Sequence, residues 1–162
     1  MVPPAIVYEA QAVADDKKID AATARELFNE AIALQAAGDY ASALQKLQQV
    51  ATFKNTPQVR FNVAVCQEKV GHLVVALGEY RLAAADAAQD PKAQGVVDAA
   101  HKAIAALEPK IPTLTITVAG GVGASRISVD GNSIADAMIG KPIPMDPGRR
   151  VIEADGDAGT FR

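Results

Sequence analysis

The chain contains two stretches of similar sequence, FNEAIALQAAGDYASALQKL at residues 28–47 and FNVAVCQEKVGHLVVALGEY at residues 61–80. Identical residues recur at a constant offset of 33 positions (61 − 28 = 33). The first copies are Phe28, Asn29, Ala31, Gly38, Ala43 and Leu44, and they return as Phe61, Asn62, Ala64, Gly71, Ala76 and Leu77. A period near this length is typical of stacked helical hairpins, which usually bind other proteins rather than carry out chemistry.

Helical spacing of apolar residues predicts two helix pairs across this repeat. The capping-box spacing of Thr23 and Glu26 places the start of the first helix near residue 23, or a few residues earlier, and Gly38 ends it. Its partner is predicted over residues 40–53, the second pair over 57–70 and 73–88, and a capping helix over 91–107.

Beyond the Pro-bounded segment 108–112, the apolar period falls from about 3.6 to 2, which predicts at least four short antiparallel strands. Turns are expected at Gly131-Asn132 and Pro147-Gly148. The expected fold class is α+β, with an α-hairpin array of two repeats plus a capping helix, followed by a small antiparallel β-sandwich-like module. The expected organisation is a tail at 1–19, a helical domain at 20–107, a linker at 108–112 and a β-domain at 113–162.

Composition restricts the function further. The formal net charge is −3, from 16 basic and 19 acidic residues, which argues against a nucleic-acid partner. We find no apolar run long enough to span a membrane. No acid–base pair and no activated nucleophile can be recognised, so we expect neither an enzyme nor a cofactor.

Several residues that could carry chemistry have simpler interpretations. The glycines of Gly120–Ser125 lack the Lys-Ser/Thr of a phosphate-binding loop, so a hairpin loop is expected. Cys66, His72 and His101 share no metal-ligand spacing, and Cys66 is expected to be a buried packing residue. Asp130 and Asp146 precede turns and are expected to bond local backbone N–H groups rather than calcium.

The helical part resembles the tetratricopeptide repeat (TPR) over residues 20–91. The resemblance is carried by Leu27, Ala31, Leu34, Gly38-Asp39-Tyr40, Ala43, Leu47 and Pro57, and then by Ala64, Gly71, Ala76, Tyr80 and Pro91. The second corner departs from the pattern, because His72-Leu73 replaces Asp-Tyr, and so does Gln67, where an aromatic residue is common.

The TPR resemblance implies a protein or peptide partner on the inner face of the first helix of each pair. The positions that it implies, called here the A-helix stripe, are Phe28, Asn29, Ile32, Gln35, Phe61, Asn62, Val65, Glu68 and Lys69. In this interpretation the apolar side chains bury the partner, and Asn29 and Asn62 bond its backbone. The alternative is that the chain's own segments cover this face.

The C-terminal part resembles the PEGA domain over residues 112–156, through Val129-Asp130-Gly131, Gly140–Pro144 and Asp146–Val151. The Glu of that family's name motif is absent from the turn. The resemblance implies a further strand near Arg162, so we include a truncated module among the expectations. A TPR array followed by a PEGA-like module resembles scaffolds of the bacterial cell envelope, which implies a periplasmic or envelope location, with a cytoplasmic one left open.

The N-terminus allows two interpretations. The apolar residues 1–7 and the small residues at Ala10-Gln11-Ala12 fit either a flexible tail or the remnant of an export signal. The leading hypothesis for function is a non-catalytic interaction scaffold that acts through the A-helix stripe. The alternative is a structural protein that anchors to the envelope or self-associates through an open β-edge, with the helices as a spacer.

Overall fold

The structure, a computed structural model, describes residues 19–118, 124–156 and 159–161. Within these residues a set of α-helices is followed by short antiparallel strands, so the α+β expectation is confirmed. The helices are α1 (Ala21–Ala36), α2 (Tyr40–Phe53), α3 (Pro57–Lys69), α4 (Leu73–Ala88) and α5 (Gln94–Leu107). In the described part of the chain, no helix is both long enough and apolar enough to cross a bilayer.

The start of α1 differs from the capping-box expectation. The N-cap is Asp20, whose Oδ1 accepts a hydrogen bond from the Thr23 N–H at 2.7 Å. A carboxylate at this position satisfies one of the N–H groups that the first helical turn leaves free. The helix therefore begins two residues before Thr23, which lies inside its first turn.

Glycine shapes both hairpin corners. Gly38 and Gly71 have φ angles of +83° and +92°, in the left-handed region that other residues rarely adopt. After the first corner, Asp39 caps α2 by accepting from the Ser42 N–H at 3.0 Å. After the second, His72 makes no side-chain capping bond to α4.

Small side chains lie where the paired helices cross. Ala31 packs with Ala43 in the first hairpin, and Ala64 packs with Ala76 in the second, all four with no exposed surface. Leu47 and Tyr80 fill the equivalent interior positions of the two repeats (80 − 47 = 33). These paired contacts make the array TPR-like.

The capping helix belongs to the same core. Leu107 of α5 has no exposed surface and packs in the cluster that contains Ala64 and Tyr80. A short 3₁₀ turn, Glu108–Lys110, follows it, so the helix does not continue through the prolines of the linker.

The strands form two small antiparallel sheets in the described residues. They are β1 (Thr113–Thr115), β2 (Ala124–Val129), β3 (Asn132–Ile134), β4 (Pro142–Pro144), β5 (Ile152–Gly156) and β6 (Gly159–Phe161). β1 pairs with β4, and the other sheet has the order β3-β2-β5-β6. The sequence did not predict β6, which pairs along the second edge of β5.

The hairpin between β2 and β3 turns one residue earlier than predicted. Asp130 and Gly131 are its two turn residues, with φ angles of +50° and +79°, and Asn132 already belongs to β3. An Asp-Gly pair with two positive φ angles is typical of a two-residue hairpin.

Asp130 and Asp146 bond backbone N–H groups, but neither bond is local. Asp130 accepts from the Val151 N–H at 2.9 Å, which ties the β2–β3 hairpin to the chain entering β5. Asp146 accepts from the Val74 N–H at 2.8 Å, across 72 residues of sequence. The expectation of local turn bonds was wrong for both carboxylates, because tertiary packing brings other N–H groups within reach.

The helical and β parts therefore meet at the second hairpin corner. The Asp146 carboxylate supplies α4 with the capping bond that His72 does not make. Ile111 packs against the second core cluster, and Pro112 accepts a hydrogen bond from the Met145 N–H at 3.0 Å. The linker and the loop after β4 are thus held against the helices.

Candidate functional site

The α1 part of the A-helix stripe is the more accessible part. Ile32 is 37% exposed, and Asn29 is exposed beside it. Phe28 is half-buried and packs against the first core cluster. This end of the stripe keeps apolar surface and a free amide within reach of a partner.

The α3 part of the stripe is more occupied by the protein itself. The ring of Phe61 lies 5.4 Å from that of Tyr80, tilted by 55°, a favourable edge-type arrangement. Val65 is half-buried and packs in the same cluster. Neither side chain is fully covered, so the stripe continues onto α3 with less accessible area than on α1.

The amide side chain of Gln35 connects the two helices of the stripe. Gln35 donates through Nε2 to the backbone carbonyl oxygen of Asn62 at 3.1 Å and to Sγ of Cys66 at 3.0 Å. Asn62 is only 7% exposed, and its Nδ2 donates to the Gln58 carbonyl at 2.8 Å. Burial of Asn62 leaves its amide little access to a partner's backbone, whereas Asn29 is exposed and makes no side-chain bond to the other described residues.

Cys66 lies beneath this network. It has no exposed surface and is a free thiol. Burial raises its pKa, which keeps the sulfur protonated and poorly nucleophilic. The prediction of a buried packing cysteine is confirmed.

The C-terminal end of the stripe is polar. Glu68 accepts a hydrogen bond from the Tyr80 hydroxyl at 3.0 Å, and Lys69 is exposed in the last turn of α3. Burial of Tyr80, with Glu68 as its acceptor, raises the pKa of the phenol above its usual value. Glu68 therefore helps to hold α3 against α4 as well as facing outward in part.

A cleft of about 600 Å³ opens beside the α1 end of the stripe. The N-terminal half of α1, the C-terminal end of α2 and the first turn of α3 form its walls. This α1–α3 cleft is lined by Ala21, Ala24, Arg25, Phe28, Asn29, Val50, Phe53, Lys54, Thr56, Gln58 and Val59. Two members of the predicted stripe, Phe28 and Asn29, thus lie in a concave site.

Sequence reasoning missed Phe53, the most exposed large apolar residue of the cleft at 46%. A signal for it was present, because Phe53 is the last residue of α2, immediately before the loop at Lys54-Asn55. An aromatic residue at a helix end has no following turn of its own helix to cover it.

The described residues give little basis for other chemistry. They contain no group of three or more potential metal ligands. His72 shares a short contact of 2.6 Å between its Nδ1 and Oε1 of Gln67, and His101 is exposed on α5. Most of the Gly120–Ser125 loop lies outside the described residues.

Comparison with known proteins gives one informative match. No protein-family model matches the chain, and no curated protein matches it. Among solved structures, the chain is similar to PcrH, as seen in the crystal structure of PcrH in complex with the chaperone binding region of PopD. The two chains are 27% identical with a TM-score of 0.51, and the match covers 54% of this chain and 66% of that one, just under two thirds. The likeness supports the TPR-like helical fold, and it is a likeness to a protein that has a region of a partner bound to it.

Proposed function

We propose that this protein is a non-catalytic interaction scaffold that binds a segment of a partner protein along the A-helix stripe and into the α1–α3 cleft. The observation that carries the proposal is the grouping of accessible apolar side chains at one place. Phe53, 46% exposed, and the half-buried ring of Phe28 line the same cleft, and Ile32, 37% exposed, lies one helical turn after Phe28 on α1.

The energetics of this surface favour a partner. Covering the exposed part of Phe53 contributes about 1 kcal/mol, since full burial of a large apolar side chain is worth about 1.5–3 kcal/mol. Ile32 adds a similar increment, and Asn29 can bond the backbone of a bound segment. The match to PcrH, crystallised with a region of PopD, adds support for a protein partner.

An envelope location is part of the same proposal. It rests on the PEGA-like pattern around Asp146–Val151 and on the apolar N-terminal residues. In that setting the β-module would hold the scaffold at the envelope while the helices bind the partner.

Site-specific crosslinking in cells that make this protein tests the proposal. A photo-crosslinking amino acid in place of Ile32 or Phe53 should give a discrete adduct with a partner. Leu82 is a matched control, because it is 49% exposed on α4 and belongs neither to the A-helix stripe nor to the cleft. Adducts of equal yield from position 82, or none from positions 32 and 53, would contradict binding at this surface.

A second candidate function is self-association through the β-module. It is favoured by the pairing of the four-stranded sheet, in which the described edge strands β3 and β6 are each paired on one side only. Sedimentation velocity of the full chain should then show a concentration-dependent dimer that Ser133→Lys on β3 disperses, since an edge lysine opposes strand pairing. A monomer at every concentration would exclude this route.

A further inference from the structure

The α1–α3 cleft has a one-sided charge. Among the residues that the structure describes, its lining includes two cations, Arg25 and Lys54, and no carboxylate. The whole chain has the opposite balance, with a formal net charge of −3. The cleft is therefore a local basic region with apolar walls on a mildly acidic protein.

Both cations are available for a partner. Arg25 and Lys54 are exposed, and neither makes an ion pair with any other residue that the structure describes. By contrast, Arg60 is engaged by two carboxylates and Arg150 by one. The cations of the cleft thus differ from Arg60 and Arg150, whose charges are already compensated by carboxylates of the same chain.

Three carboxylates adjoin lining residues in sequence, Asp20, Glu26 and Glu30, and none of them lines the cleft. Asp20 accepts the hydrogen bond from the Thr23 N–H at the start of α1, and this bond lowers the pKa of its carboxyl group. Glu30 forms an ion pair with Lys46 at 2.6 Å. Helix dipoles add to the positive sign, because two helices, α1 and α3, begin at the cleft and only α2 ends there. The two side chains and the helix ends therefore give the lining the same sign of charge.

We propose that the α1–α3 cleft selects a partner segment in which apolar side chains are flanked by carboxylates. The apolar groups contact Phe28 and Phe53, and the carboxylates face Arg25 and Lys54. This inference rests on the proposed function and specifies the chemistry of the partner. The apolar contacts supply most of the affinity, and the charges set the orientation of the segment and its rate of capture.

The test uses the full chain and two synthetic probes. One is a short fluorescein-labelled peptide of Ala, Leu, Phe and Asp, and the other is its twin with Lys at each Asp. By fluorescence anisotropy at low salt, the Asp peptide should bind about tenfold more tightly, the preference expected when two exposed charge pairs are replaced by two repulsions. Added salt should reduce that preference.

Charge reversal of the protein provides the decisive comparison. The double variant R25E/K54E should prefer the Lys peptide, with an unchanged circular dichroism spectrum because both side chains are exposed. Lys102→Glu on α5 is the matched control, since Lys102 is exposed and lies outside the cleft. It should leave the Asp preference intact, and Phe53→Ala should weaken both peptides by a similar factor.

The outcomes separate this inference from the proposed function. Equal affinity for the two peptides, or an Asp preference that R25E/K54E does not change, overturns charge selection but leaves partner binding in place. Binding of the Asp peptide only after deletion of residues 1–18 would also overturn the inference, because the chain's own segment would then occupy the cleft. Failure of both peptides to bind refutes it outright, while crosslinking from Ile32 and Phe53 still tests partner binding independently.

Discussion

The bond between Asp146 and α4 yields a prediction about how the two parts of the protein are held together. The Val74 N–H is one of the amide groups that the first turn of a helix leaves without an intrahelical partner. His72 does not satisfy it through its side chain, and the Asp146 carboxylate does, at 2.8 Å. Asp146→Ala should therefore remove both a helix cap and a contact between the helical and β parts.

The expected magnitude follows from measured caps. Loss of a capping side chain costs about 0.5–2 kcal/mol and typically about 1 kcal/mol. Because the bond is exposed, we expect the free energy of unfolding to fall by no more than about 1 kcal/mol, which corresponds to a Tm lowered by about 3 °C in a chain of this size. Asp146→Asn keeps an acceptor oxygen without the charge and should lose about half as much.

Guanidinium unfolding gives the free energy, and amide hydrogen exchange locates the effect. Exchange at Val74 should accelerate in Asp146→Ala, while amides in the middle of α2 keep their rates. Asp136→Ala is the control, since Asp136 is exposed and the described residues provide it with no side-chain bond, yet the variant loses the same charge. If Asp146→Ala leaves both the unfolding free energy and the Val74 rate unchanged, the reasoning from this contact is refuted.

Other predictions concern the helical core. Gly78→Ala should stabilise the protein by about 0.5–1 kcal/mol, because an added Cβ meets no atom within 4 Å in the interior of α4. Gly38→Ala should instead destabilise it by about 1–2 kcal/mol at a φ of +83°, and chemical denaturation of the pair measures both signs. The folded state raises the pKa of the Tyr80 phenol, so the unfolded state loses this proton at a lower pH than the folded state does. The free energy of unfolding should therefore fall as the pH rises above the unfolded pKa of about 10. Tyr80→Phe should abolish that part of the alkaline loss in pH-dependent melts. Phe61→Ala should cost about 2 kcal/mol of unfolding free energy, less than a fully buried Phe, because the ring is half-buried against Tyr80. A cost near zero would mean that the Phe61 ring is free for a partner, and global unfolding would mean that it is wholly core.

The candidate site could be predicted in part. Family positions indicated Phe28 and Asn29, and the structure places both in the α1–α3 cleft. At the same positions in the second repeat, Asn62 is buried whereas Asn29 is exposed, and the half-buried ring of Phe61 packs against Tyr80 of α4. A repeat pattern assigns equal roles to equivalent residues, whereas their exposure depends on which helix comes next.

The secondary structure, by contrast, followed largely from interactions between residues that are close in sequence. The helical spacing of apolar residues, the corner glycines and the Pro-bounded linker predicted every described α-helix to within a few residues, since each signal acts within one or two turns of the chain. The existence of a β part also followed from the apolar period of 2 in the sequence after residue 112. The pairing order of the strands and the presence of β6 did not, because strand pairing joins residues that are distant in sequence.

The amino-acid sequence by itself determined the helical repeat, its close alanine crossings and the change to β-structure after residue 112. Only the tertiary structure decided that Asp146 caps α4, that the Gln35 side chain joins α1 to α3, and that Phe53 lines a basic cleft with apolar walls. The physical reason is the separation along the sequence over which each interaction acts. Caps, turns and periodicity depend on neighbours a few residues apart, whereas a binding surface depends on which side chains remain uncovered once all the elements have packed.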